Sequence, residues 1–141
     1  MRTIASYVLI LLIESRVFAQ DTPTVLNQNI KTAHFEAMDY PITARMGHEE
    51  GAVIVRVQLD SKGNVTSASA VSGTKYLIPS SVENAKKWKF QPSQERVAII
   101  VYIFRFEGAC AQPCKTNFTY LPPNLALITV GKPFVDHAAQ P

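Results

Sequence analysis

Two short stretches carry residue types that do chemistry in other proteins. Lys86-Lys87-Trp88-Lys89-Phe90-Gln91-Pro92 interleaves three lysines with two aromatic rings. That is the composition of a platform for single-stranded nucleic acid, where ammonium groups follow phosphates and rings stack on bases. His48-Glu49-Glu50 sets an imidazole beside two carboxylates, the makings of a general base. No nucleophile or metal ligand stands at a usable spacing from His48, and His34 and His137 are scattered far from it. The chain has no Gly-x-Ser-x-Gly, no His-Glu-x-x-His and no phosphate-binding glycine loop. A solvated loop is the better reading of the histidine cluster, and no catalytic residue, metal or cofactor is expected. Cys110 and Cys114, in Cys-Ala-Gln-Pro-Cys, stand one residue too far apart for the Cys-x-x-Cys redox motif. In an exported chain they read first as a small disulfide ring; free thiols and a metal site needing two further ligands are the other readings. On the entropy model, closing so short a loop restricts the unfolded chain by roughly 2 kcal/mol.

Export is indicated by the first 19 residues. Arg2 precedes the apolar run Ile4 to Ile13, which is far short of the roughly 20 residues a membrane-spanning helix needs. Val17-Phe18-Ala19 places small residues where a signal peptidase reads, so cleavage is expected after Ala19. The 141-residue chain has 14 basic and 11 acidic residues. Removing Arg2, Glu14 and Arg16 with the leader lowers its net charge from +3 to +2. An excess this small argues against nucleic acid or an anionic membrane as a partner. The remainder is one small domain. Residues 20–39 are read as a short linker, polar and without apolar period from Asp21 to about Lys31.

The elements that must position these residues follow. Tyr40-Pro41-Ile42-Thr43-Ala44-Arg45 starts a helix of one or two turns, with Pro41 at its first position and Ile42 and Arg45 to Met46 turning an edge inward. In Gly51 to Asp60, Val53, Val55, Val57 and Leu59 alternate with Ile54, Arg56 and Gln58, the pattern of a strand with one buried face. Asp60 to Asn64 is turn chemistry with Gly63 available for positive φ, and Val65 to Val71 completes a β-hairpin. Ser80-Ser-Val-Glu83 matches a capping box, and Val82, Ala85 and Trp88 share a helical face until Pro92. The lysines then lie in the last turn, where positive charge complements the exposed carbonyls. Arg96 to Phe106 is apolar on both faces, as a central strand is. Asn117 to Leu121 and Leu125 to Val130 are further strands.

In this order and spacing, Tyr40-Pro41-x-x-Ala44-Arg45, Gly51 with its alternating valines, Asp60-x-x-Gly63, Val71-Ser72-Gly73 and Trp88-x-Phe90-x-Pro92 resemble the TonB C-terminal domain. The resemblance spans about Tyr40 to Phe106. It implies an α+β fold: a three-stranded antiparallel sheet with two helices on one face, over residues 40–107. Residues 108–141 are then a C-terminal extension carrying the cysteine pair and one or two strands, expected to cover the sheet's edge or face.

The resemblance also implies function. Such domains grip the "TonB box" peptide of an outer-membrane receptor by strand addition at the last strand, and transmit force from an ExbB/ExbD motor. Val97, Ile99, Val101, Ile103 and Arg105 would mark that docking strand. The expectation is a periplasmic, non-enzymatic adaptor or transduction component, bound to a TonB-dependent receptor or another envelope protein. The alternative is a structural or oligomerising envelope domain that forms a homodimer. Engagement of a motor is left open, because about 20 residues between Ala19 and Tyr40 make no long spacer.

Overall fold

The computed structural model describes residues 29–134, so the expected leader and its cleavage point lie outside the described residues. The elements run β1 (Thr32–His34), α1 (Ile42–Met46), β2 (Gly51–Leu59), β3 (Val65–Ser72), α2 (Ile78–Ala85), β4 (Lys89–Phe90), β5 (Val97–Cys110), β6 (Thr116–Leu121) and β7 (Leu125–Pro133). Five strands form one sheet in the order β3-β2-β5-β7-β6, and β1 pairs with β4 in a separate ribbon. Every pairing is antiparallel except β5 with β7, which is parallel.

The alternation read in β2 is realised: Val53, Val55, Val57 and Leu59 are buried, and β2 and β3 form the hairpin. Its turn is held by Asp60, whose Oδ1 accepts the N–H groups of Lys62 and Asn64 at 2.9 Å each. Those bonds, the Asn64 N–H foremost, keep the Asp60 carboxyl below its ordinary range. Gly63 has φ 84°, and a Cβ there would lie 2.0 Å from the Phe90 carbonyl oxygen. Only glycine lets turn and β4 meet so closely.

Both helices depart in detail from the sequence reading. Pro41 is the N-cap of α1 and not its first helical residue. Ile42 and Met46 point outward, 73% and 78% exposed. A helix of five residues has room for one inward position, and Ala44, one turn after the buried Tyr40, takes it. The capping box at Ser80 does not form. α2 begins earlier, at Ile78, with Pro79 in the first turn, where its missing N–H costs nothing. Ser81 Oγ instead donates back to the Leu77 carbonyl, and Glu83 pairs with Lys86. The helix ends at Ala85, so Lys86 is its C-cap and Lys87 and Lys89 lie beyond it.

The segment read as linker enters the domain at Ile30, which is fully buried, and the Lys31 carbonyl accepts the Gln91 N–H at 2.8 Å. One aliphatic in a polar run has no period to reveal it; pairing of β1 with β4 buries it. At the other end, the extension is built into the sheet. β7 lies along β5 from Val101↔Leu125 to Phe106↔Val130, and Ala126, Ile128 and Val130 join the buried face. The α+β class is as expected, but the three-stranded sheet is enlarged to five strands with mixed direction.

Candidate functional site

Burial decides the lysine and aromatic stretch. Trp88 and Phe90 are packed in the core, and Lys86, Lys87 and Lys89 are exposed. Trp88 Nε1 and the Tyr102 hydroxyl both donate to Asn84 Oδ1 at 2.9 Å, while Asn84 Nδ2 donates to the Glu36 carbonyl at 2.9 Å. Burial pushes the Tyr102 phenol far up from its ordinary value. Neither Trp88 nor Phe90 is free to stack on a base.

The histidine cluster also has structural duties. His48 follows α1 in a left-handed conformation, φ 52°, with its ring 5.7 Å from that of Phe106. Glu50 Oε1 accepts the Phe106 N–H at 2.5 Å, and the Tyr40 hydroxyl donates to the Glu49 carbonyl. Loss of solvent, then the charges of Glu50 and Glu49, pushes the Tyr40 phenol up to about 12. The trio fastens α1 to the end of β5. Cys110 and Cys114 form a disulfide. Arg45 Nη2 donates to the Cys114 carbonyl at 3.1 Å, and a Cβ on Gly131 would lie 2.8 Å from both Cβ and Sγ of Cys110. The ring therefore ties together α1, β5 and β7. Motif residues Tyr40, Ala44, Gly63, Trp88 and Phe90 are core or turn positions, and Gly73 (φ 149°) lies against Val53.

Surface depressions are shallow and chemically plain. One of about 470 Å³ is lined by Asp39, Tyr40, Ile42, Arg45 and Cys114 among others, and one of about 440 Å³ by Glu50, Ala52, Ile103 and Arg105 among others. In the first, the polar groups are engaged in structure: Thr116 accepts the Tyr40 N–H and Arg45 donates to the Cys114 carbonyl. What the sheet offers is its edges. Val97, Ile99, Val101, Ile103 and Arg105 do share one side of β5, opposite the buried Ala98, Ile100, Tyr102 and Phe104. β5 itself, however, is paired with β2 on one side and β7 on the other. The strand expected to receive a peptide is interior, because the C-terminal hairpin occupies its edge. The outer strands are β3 and β6.

These two edges differ. β6 has six residues between Lys115 and Pro122-Pro123. Its Thr116 Oγ1 accepts the Tyr40 N–H at 3.1 Å, and Phe35 stacks on Tyr120 and Phe118 at 4.6 and 5.8 Å. β3, Val-Thr-Ser-Ala-Ser-Ala-Val-Ser, has no charge and no proline over eight residues, and Thr66, Ser67, Ser69, Val71 and Ser72 are exposed. The sequence reading has β3 as the second strand of the hairpin without a binding role, and gives Phe35 none. A run without charge in an edge strand was the available signal for the first; an isolated phenylalanine carries none for the second.

The family model described as Gram-negative bacterial TonB protein C-terminal matches residues 36–107, a stretch that takes in α1 through most of β5 and stops before β6. No curated protein and no solved structure matches the chain.

Proposed function

From a chain that belongs to the TonB C-terminal family, whose domains are periplasmic and engage outer-membrane receptors in envelope energy transduction, we propose a module that takes up an extended receptor peptide as an added strand. The observation that carries this reading is the open sheet. Five strands in a row leave two outer edges, and the N–H and C=O groups of such an edge match those of an extended chain, which gives affinity while alternate side chains give selectivity. In this reading the chain is cleaved after Ala19 on export and serves as an adaptor or transduction component in TonB-dependent transport. Among the described residues, no helix is long and apolar enough to cross a membrane. The test is calorimetric titration of the mature chain with synthetic plug-segment peptides of outer-membrane receptors. Saturable binding is expected; no binding by any of them would remove the reading.

A structural or oligomerising envelope domain is the second reading. It is favoured by one observation, the occupation of the β5 edge by β7, since that is the edge the family resemblance assigns to the peptide. Sedimentation at micromolar concentration separates the two: a dimer indifferent to peptide supports the second.

A further inference from the structure

We infer that the docking edge of this chain is the outer edge of β3, and that its ligand is an extended, uncharged receptor segment bearing an apolar side chain at one end. This rests on the strand-addition reading above and moves the site to the opposite side of the sheet from the strand the resemblance assigns.

Three observations converge on β3. The first is the fate of the other edges. β5 is closed by β7, whose Ala126, Ile128 and Val130 are core residues and whose entry is fixed by Val101 N–H donating to the Asn124 carbonyl at 3.0 Å. A peptide taking that place would have to expel part of the core. β6 carries the usual protections of an edge: it is short, Lys115 precedes it and two prolines follow it. β3 carries neither charge nor proline.

The second observation is steric. Serine and alanine alternate through Ser67, Ala68, Ser69 and Ala70, so a second backbone can approach without displacing long side chains. β3 pairs with β2 on one side only, and α2 packs against β3 and β2 to hold the strand in place. The strand is thus presented ready-formed, and the ordering cost of docking falls on the incoming segment alone.

The third is apolar exposure beside the strand's end. Val71 is 60% and Tyr76 44% exposed, five residues apart in the chain, and Lys75 Nζ stands over the Tyr76 ring at 5.5 Å. An apolar residue at that end of the ligand would gain by covering either of these side chains. β3 itself carries no charge, so an uncharged segment suits the strand's own length, and charge enters from its flanks, from Lys75 beside Tyr76 and Arg56 opposite Ser69, which sets a modest dependence of binding on salt.

Amide hydrogen exchange of the mature chain, with and without a synthetic TonB-box peptide, tests this directly. Peptide should slow the outward-facing amides of Val65–Ser72 by about tenfold or more and leave those of β5, β6 and β7 unchanged. Ala68→Pro and Ser69→Pro provide a second measurement, because N–H groups alternate in direction along a strand and one of the two points outward. The variant that keeps the native melt should bind about tenfold more weakly, and Thr119→Pro on β6 should bind as wild type does. Peptide that binds yet protects β6, or that protects β5 while β7 loses protection, overturns the β3 assignment and leaves strand addition intact. Absence of binding overturns both. Protection of β3 that rises with protein concentration alone, accompanied by a dimer in sedimentation, makes a second copy the occupant and overturns the receptor ligand.

Discussion

Asn84 joins three parts of the chain through one amide: Trp88 and Tyr102 donate to its oxygen and it donates to Glu36. Replacing it by alanine leaves two buried donors without a partner, each worth about 1–3 kcal/mol. Asn84→Ala should therefore lower unfolding free energy by about 2–5 kcal/mol in urea, whereas Lys89→Ala, at an exposed position, should stay within about 0.5 kcal/mol. The inward ring of Trp88 was legible from its spacing with Val82 and Ala85. Asn84 was not, because an amide beside lysines reads as solvated until the fold brings in Tyr102 from the next long strand. Tyr40 sets a pH dependence. Its phenol is raised from 10.0 to about 12 in the folded chain, so its contribution is complete below pH about 10 and is lost as pH rises toward 12. Denaturation followed at fixed pH steps from 9 to 12 should show that loss, and Tyr40→Phe should flatten it, with Tyr102 supplying the dependence that remains.

At the scale of elements, local pattern and turn chemistry made the β2–β3 hairpin readable nearly to the residue, since alternation and the Asp60–Asn64 turn are both local. The start of α2 misled because a capping box and a proline in the first turn compete, and here proline won. β7 was visible as a strand, but its parallel pairing with β5 was not, since nothing near it in sequence names its neighbour. At Gly131 a side chain on β7 would run into the disulfide. Gly131→Val should cost about 1–3 kcal/mol by overpacking against Cys110. In a Cys110→Ala/Cys114→Ala background the same change should cost less. The non-additivity of this cycle in thermal melts, or its absence, decides whether ring and strand are coupled.

For the whole molecule, the α+β class and the matched core were legible, whereas for the C-terminal extension the sequence points only to strands over the sheet's edge or face. It is part of the core: Ala126, Ile128 and Val130 are buried on the face shared with Tyr102 and Phe104. Burying a valine or isoleucine contributes about 1.5–3 kcal/mol, so losing this hairpin removes much of the total stability of a domain this size. A chain ending at residue 107 should show a red-shifted, readily quenched Trp88 emission, against a blue-shifted, quencher-resistant emission for the chain that keeps β6 and β7. The strand order has a further consequence. Among the described residues β7 is the last element along the chain, yet it sits between β5 and β6. A polypeptide that emerges N-terminus first therefore cannot attach β6 to the sheet until β7 is in place beside β5. Loss of β7 alone costs the sheet two strands, because β6 has no other strand to pair with.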